Sequence, residues 1–385
     1  MIRRNIYRLL LFFALSAPWT GIRSLEAKDS DPGQPYIQLL FHKGVHVNRS
    51  TYLDDEFAGG FRALEFRMGF RTNGGESWQQ LHHYPKFGAG FHYADQIRDR
   101  KDTIMGNPVS VFGFYNAPIA RYGPFSLNTN ISVGLSYMSV IFDPVENPMN
   151  DLVASHINLY FDCNLNLGIE LAERWDLTLG YGVNHYSNGN IQEPQKGLNN
   201  WGWSLGASYL FGTGQKPFQR AEFIRSDLPE FNPREEIQLM MSVGITEWQP
   251  GYEDKGQHYF TSSATADYAF RFSRKSAVTL GLDIMYDGSL EKAIKGLSPE
   301  EVTTWQKFYL GGHIGYQYTI NKVTLLFNLG SYFYQSSYDR RFFFSRAGGR
   351  IRLTDHLAAH VCIKSRNGIR SDWIEWGLAY SLKTR

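Results

Sequence analysis

Apolar and polar residues alternate with a period of two along much of this chain. In residues 159–171, Phe161, Cys163, Leu165, Leu167, Ile169 and Leu171 alternate with Asp162, Asn164, Asn166, Gly168 and Glu170. Val278, Leu280, Leu282, Ile284 and Tyr286 alternate with Thr279, Gly281, Asp283 and Met285, and Val323, Leu325, Phe327 and Leu329 form another such run. Successive side chains of a strand point to opposite faces, so each run predicts a strand with one apolar face. No long amphipathic helical pattern is found. Short polar turns at residues 172–174, 273–275, 321–322 and 354–355 alternate with longer connections near 48–60, 96–107, 140–151, 188–199 and 289–303. Short turns at one end and long loops at the other are the pattern of an outer-membrane barrel. The expected fold is an all-β antiparallel transmembrane outer-membrane β-barrel of about 14–16 strands.

One stretch interrupts the rhythm. Residues 213–235 hold Pro217, Pro229 and Pro233 among many charges and read as a periplasmic linker or long turn. A single larger barrel running through it is the preferred arrangement, with two eight-stranded barrel units as the alternative. The chain then divides into a signal peptide over 1–28, a catalytic barrel half over 34–212, the linker or turn over 213–235, and additional barrel strands over 236–385. The signal reading rests on Arg3, Arg4 and Arg8 before an apolar run at 9–14, with Ser16, Ala17 and Ala27 as small residues near cleavage. That run is too short to span a bilayer as a helix, and no later stretch reaches the ~18 apolar residues a spanning helix needs.

Composition adds two constraints. With 27 Phe, 23 Tyr and 9 Trp the chain is rich in aromatics, while its hydrophobic fraction is only 43%. Aromatic girdles around strands that are apolar on one face alone give that balance. A formal net charge of +2 offers no argument for a nucleic-acid partner. The two cysteines, Cys163 and Cys362, have no metal-binding or redox spacing, and both a lone disulfide and two unpaired thiols stay open.

The chemistry concentrates at one predicted hairpin. Trp175, Leu177, Leu179, Tyr181 and Val183 share the apolar face of a strand, and His185 and Ser187 continue it. The following strand carries Asn199 in phase with Trp201, Trp203, Leu205, Ala207, Tyr209 and Phe211. A base, a nucleophile and an amide thus come together on the lipid-facing wall. Ser187 can attack an ester carbonyl, His185 can take its proton, and Asn199 can hold the imidazole tautomer. Asn188 and Gly189 are the candidates for oxyanion stabilisation or positioning. Asn188-Gly189 is also an ordinary turn signal, so the same segment reads equally as a polar loop. The adjacent His82 and His83 face opposite ways on a strand and make a poor metal site. His42 and His46 read as strand residues, and Asp54, Asp55 and Glu56 as a solvated loop.

The segment His185, Tyr186, Ser187, Asn188, with Pro194, Gly197 and Leu198 after it, resembles the active-site hairpin of PagL-type lipid A 3-O-deacylases. Residues 84–90 and 147–150 are similar to segments of long acyloxyacyl hydrolase-like relatives of that family. The resemblance covers roughly residues 35–212. It implies an outer-membrane lipid ester hydrolase acting on lipopolysaccharide, with the family's catalytic histidine and serine carried onto His185 and Ser187. One departure stands out: the family has Glu where this chain has Asn199, and Asn at that spacing is the pattern of outer-membrane phospholipase A. Phospholipase A is therefore the second reading, with phospholipid as substrate, calcium as its cofactor and a homodimer as its assembly. The first reading needs no cofactor and no metal. A porin-like or structural barrel without activity is the third.

Overall fold

The computed structural model describes residues 32–47, 50, 60–96, 104–212, 231–247, 256–297, 301–335, 342–367 and 370–383. The signal segment, Asp54, Asp55 and Glu56, and most of the 213–235 stretch lie outside these residues. Among the described residues sixteen strands are formed. The first eight are β1 (Gln34–His46), β2 (Phe61–Arg71), β3 (Lys86–Gln96), β4 (Val109–Tyr122), β5 (Phe125–Tyr137), β6 (Ile157–Ala172), β7 (Trp175–Ser187) and β8 (Leu198–Leu210). The second eight are β9 (Arg234–Glu247), β10 (His258–Arg271), β11 (Ser276–Asp287), β12 (Phe308–Ile320), β13 (Val323–Tyr334), β14 (Phe343–Arg352), β15 (Leu357–Arg366) and β16 (Arg370–Lys383). Among the described residues, helix is confined to the short α1 (Ser77–Leu81), α2 (Leu290–Leu297) and one 3-10 turn. Among the described residues no helix is long and apolar enough to cross a membrane.

The strands close into two barrels rather than one. β8 returns to pair with β1, from Tyr36 opposite Leu210 to His46 opposite Asn200. β16 returns to pair with β9, from Trp376 opposite Val243 to Lys383 opposite Glu236. This corrects the preference for a single larger closure and selects the two-unit alternative. Interior volume gives the reason. Eight strands enclose a lumen just wide enough for side chains to fill, whereas sixteen leave an aqueous channel. Large inward residues here meet across the lumen. Tyr160 and Tyr186 are fully buried in barrel one, and Arg346 and Trp373 in barrel two.

The outward faces follow the alternation. Leu165, Leu167, Leu205, Leu280, Leu282 and Leu329 are among the exposed apolar side chains. Around barrel one, exposed Trp175, Tyr122 and Phe125 mark the end that carries the linker. Tyr93, Tyr137 and Trp201 mark the opposite, long-loop end. Two such bands bound an apolar belt, as interfacial girdles do. Cys163 and Cys362 fall in different barrels, and both are free thiols.

The barrels touch at both ends. At the linker end, α1 lies in the β2–β3 connection, and the residue after it, His82, meets barrel two. His82 Nε2 lies 3.1 Å from the Thr319 carbonyl and its Nδ1 3.0 Å from the Tyr318 hydroxyl. Lys275 Nζ donates to the Leu81 carbonyl at 3.3 Å. This bonding assigns His82 to inter-barrel packing. At the long-loop end the contact is made by the connection between β7 and β8.

Candidate active site

β7 carries His185 and Ser187 outward because the barrel's inward phase is fixed by Asp176, Asn184 and Tyr186, all buried. His185 stands directly opposite Asn199 in the β7–β8 ladder. Its Nδ1 lies 2.6 Å from Asn199 Oδ1. The amide oxygen only accepts, so Nδ1 is the donor and Nε2 carries the lone pair. That is the tautomer a general base needs. Ser187 follows two residues later on the same face, opposite Leu159 of β6, and is buried at the long-loop end.

The loop 188–197 is shaped by its first residue. The Asn188 side-chain oxygen accepts from the Asn190 backbone N–H at 3.0 Å, and its amide donates to the Gln192 carbonyl at 2.9 Å. This is an Asx-type turn, the local bonding that asparagine favours. One amide hydrogen of Asn188 is thereby committed within the loop. Gly189 has φ of 65°, and a Cβ there would lie 2.4 Å from Ile374 Cγ1 on the wall of barrel two. Gly197 has φ of 73°, and a Cβ there would lie 2.8 Å from His185 Cε1. Both glycines therefore serve close approach, one to barrel two and one to the histidine ring. From the other side, Gly197 N–H donates to the Leu152 carbonyl at 3.0 Å, and Lys196 Nζ pairs with Asp151 at 2.6 Å.

Barrel two supplies a seat for this loop. Asn190 Nδ2 donates to Thr246 Oγ1 at 2.9 Å and to the Asp372 carbonyl at 3.3 Å. The Glu247 N–H donates to the Asn190 carbonyl at 3.2 Å, and the Glu193 N–H to a Glu247 carboxylate oxygen at 2.9 Å. Burial raises the Glu193 carboxyl above the ordinary carboxylate range, with Arg370 and Arg366 opposing. Nothing in the sequence signalled this seat. Thr246 lies 56 residues from Asn190 along the chain and Asp372 lies 182, and neither they nor Ile374 belong to a motif.

A family model described as lipid A 3-O-deacylase (PagL) matches residues 63–208, and one described as the C-terminal domain of acyloxyacyl hydrolase matches residues 235–384. The chain belongs to the PagL family. The first match lies within barrel one and includes the β7–β8 hairpin except the last two residues of β8, and the second coincides with barrel two. No curated protein sequence matches the chain. Among solved structures, Neisserial surface protein A is similar at 12% identity and a TM-score of 0.32, covering 46% of this chain and 97% of its own. An outer-membrane channel from Pseudomonas putida F1 is similar at 9% identity and a TM-score of 0.20, covering 94% of this chain and 100% of its own. The β domain of a Bordetella autotransporter is similar at 11% identity and a TM-score of 0.25, covering 91% and 100%.

Proposed function

We propose that this chain is an outer-membrane ester hydrolase that removes a 3-O-linked acyl chain from lipid A. The observation that carries the reading is the 2.6 Å bond between His185 Nδ1 and Asn199 Oδ1 on an outward, apolar wall, with Ser187 on the same face. The family match supplies the substrate class. An ester at the boundary of headgroup and acyl chain would lie level with the long-loop end, where Ser187 sits. Lipopolysaccharide occupies the leaflet that this end would face.

In this reading Ser187 Oγ attacks the acyl carbonyl while His185 Nε2 takes the hydroxyl proton. The tetrahedral oxyanion is held by backbone N–H groups at the start of loop 188–197, with the second amide hydrogen of Asn188 as a further donor. Collapse breaks the ester bond, and the sugar oxygen leaves with the proton from His185. Water then attacks the acyl-serine, giving up its proton to His185; collapse breaks the bond to Ser187 Oγ, which takes that proton back from His185, and the fatty acid is released. Asn199 orients the imidazole but adds no negative charge opposite the imidazolium, unlike a carboxylate partner.

One observation favours a second reading. An amide as the third residue is the phospholipase A pattern, and its substrate would be a phospholipid. Mass spectrometry of lipid A and phospholipids, from cells producing the native chain or Ser187→Ala, separates the two. Lipid A lacking one 3-O chain, and restored by Ser187→Ala, is the expected result. Intact lipid A with serine-dependent lysophospholipid would establish the phospholipase. If neither lipid changes, both hydrolase readings fail.

A further inference from the structure

We propose that the lumen of barrel one holds a divalent transition-metal ion of the zinc class, bound by His42, Glu65 and His92. The three residues come from consecutive strands. Glu65 of β2 stands directly opposite His92 of β3, and His42 of β1 reaches them from the neighbouring ladder. All three are buried, with His42 at 5% exposure and the other two at 0%. One ligand atom from each lies within 4.8 Å of the other two.

His92 Nε2 is buried with no hydrogen-bond partner, and His42 Nε2 and Glu65 Oε2 beside it meet only one another. An unpaired buried polar atom costs about 1–3 kcal/mol, and a lone imidazole nitrogen converging on a buried histidine–carboxylate contact calls for a shared partner. A cation is the one partner that satisfies two imidazole lone pairs and a carboxylate oxygen together. His42 Nε2 and Glu65 Oε2 are 3.2 Å apart. With metal–ligand bonds of about 2.0–2.1 Å, the edge of a coordination tetrahedron is about 3.3 Å. Two imidazoles and one carboxylate form a donor set suited to zinc, and water takes the fourth position.

The surroundings match a metal site's outer shell. Arg67 Nε donates to Glu65 Oε1, the carboxylate oxygen that the ion would not use. Arg67 Nη1 is fixed in turn by Asn130 Oδ1 at 2.8 Å. His92 Nδ1 lies 3.4 Å from the Tyr186 hydroxyl, and its ring stacks on Tyr160 with centroids 5.4 Å apart. A second ring nitrogen tied to an oxygen is the usual way a ligating histidine is oriented. Tyr186 sits between His185 and Ser187 on β7, so the ion would brace the strand that carries them.

Barrel two shows the contrast. His313 is also buried in a lumen, but its Nδ1 meets Asp283 at 2.6 Å and its Nε2 meets Asn328 at 2.9 Å and Asp267 at 3.1 Å. Both of its ring nitrogens are spent on protein partners.

The test uses the full-length, tag-free chain in detergent, stripped with chelator and titrated with Zn2+ and with Co2+. Elemental analysis should find one zinc per chain, and bound cobalt should give the intense visible absorption of four-coordinate geometry. Glu65→Gln keeps an acceptor for Arg67, and His92→Phe keeps the stack on Tyr160. Each should weaken metal binding at least about 100-fold while the barrel still shows heat-modifiable migration on gels. Substoichiometric zinc in the native chain, or tight binding unchanged in both variants, overturns the proposal. Should neither variant fold, X-ray absorption of the zinc-loaded native chain decides: a shell with two imidazoles supports the site, and a sulfur or all-water shell rejects it. None of these readouts involves lipid, so the proposal stands or falls apart from the hydrolase reading.

Discussion

Two barrels of eight strands stand side by side in one chain, and their last hairpins differ most. In barrel one, β7 and β8 are joined by the ten residues 188–197, and the outer wall beside that loop carries His185, Ser187 and Asn199. In barrel two, β15 and β16 are joined by the three residues 367–369, and the outer wall there presents Ile363 opposite Ile374. The lumens differ in the same direction. Barrel two ties Arg346, Glu375 and Asp283 into one interior network. Arg346 bonds Glu375 through Nε at 2.5 Å and Nη2 at 3.1 Å, and reaches Asp283 through Nη1 at 2.8 Å. Barrel one leaves His92 Nε2 unpaired beside the His42–Glu65 contact. In the proposed function one fold thus serves as a carrier of chemistry in one half and as a scaffold in the other. The scaffold's contribution to the carrier is the seat for loop 188–197.

The sharpest way to break this division is at the nucleophile. Ser187→Ala should lower lipid hydrolysis by about 10⁴-fold or more, the scale seen when a serine of a catalytic unit is removed. Ser365→Ala, at the corresponding hairpin of barrel two, should leave the lipid profile unchanged in the same mass-spectrometric assay. Equal losses from both would dissolve the contrast between the halves.

Next in size is the orienting amide. Asn199→Ala frees the His185 ring to adopt the other tautomer and should reduce kcat by about 10²–10⁴-fold with little change in KM. Asn199→Glu should retain activity, because a carboxylate accepts from Nδ1 just as the amide oxygen does. Steady-state kinetics on purified chain would show it. An Asn199→Ala variant as active as the native chain would remove Asn199 from the mechanism.

The seat is expected to matter less. Asn190→Ala strips the Thr246 hydroxyl and the Asp372 carbonyl of a buried donor, a cost of about 1–3 kcal/mol. Activity should fall about 10-fold as the loop loosens beside Ser187, since small misplacements are expensive in catalysis. A double-mutant cycle with Thr246→Val, read by urea unfolding in detergent, should give a coupling of about 0.5–3 kcal/mol. Strict additivity would mean the barrels are neighbours without energetic contact.

The smallest effect is at the opposite end. Burial, and then the charge of Lys275, hold His82 at about 4, below the ordinary histidine value. Burial and the charges of Lys275 and Arg121 also lower the adjacent His83. The unfolded chain binds a proton near pH 6.5 that the folded chain refuses until about 4, so stability from this contact is complete above that window and is lost as pH falls through it. The bonding agrees, since a protonated ring could no longer accept from the Tyr318 hydroxyl. Unfolding midpoints measured from pH 7 to pH 5 should decline, and His82→Gln should flatten part of the decline. An identical slope in the variant would exclude His82 as its source.

Period-two alternation made the strands legible because one register assigns every side chain to a face. It places His185, Ser187 and Asn199 on one wall, and the ladder pairs His185 with Asn199. The short–long rhythm of connections held as well, apart from the β2–β3 connection, where α1 lengthens the linker end, and the three-residue connection at 367–369. Closure was not legible. Which strand meets β1 depends on how much side-chain volume must fit inside, and alternation is silent on that sum. The His42–Glu65–His92 cluster was missed for a related reason. Its members sit on three strands, more than twenty residues apart, and each looks ordinary alone. Their common inward phase, read across adjacent ladders, was the available signal.

The seat for loop 188–197 has a consequence in time as well as in space. Thr246 and Glu247 belong to β9, while Asp372 and Ile374 belong to β16. These are the first and last strands of barrel two, and their pairing is what seals it. A surface made jointly by those strands exists only once the C-terminal strand has been zipped home. The loop beside Ser187 is thus docked only against a closed barrel two, and a molecule with that barrel open has no place to put it.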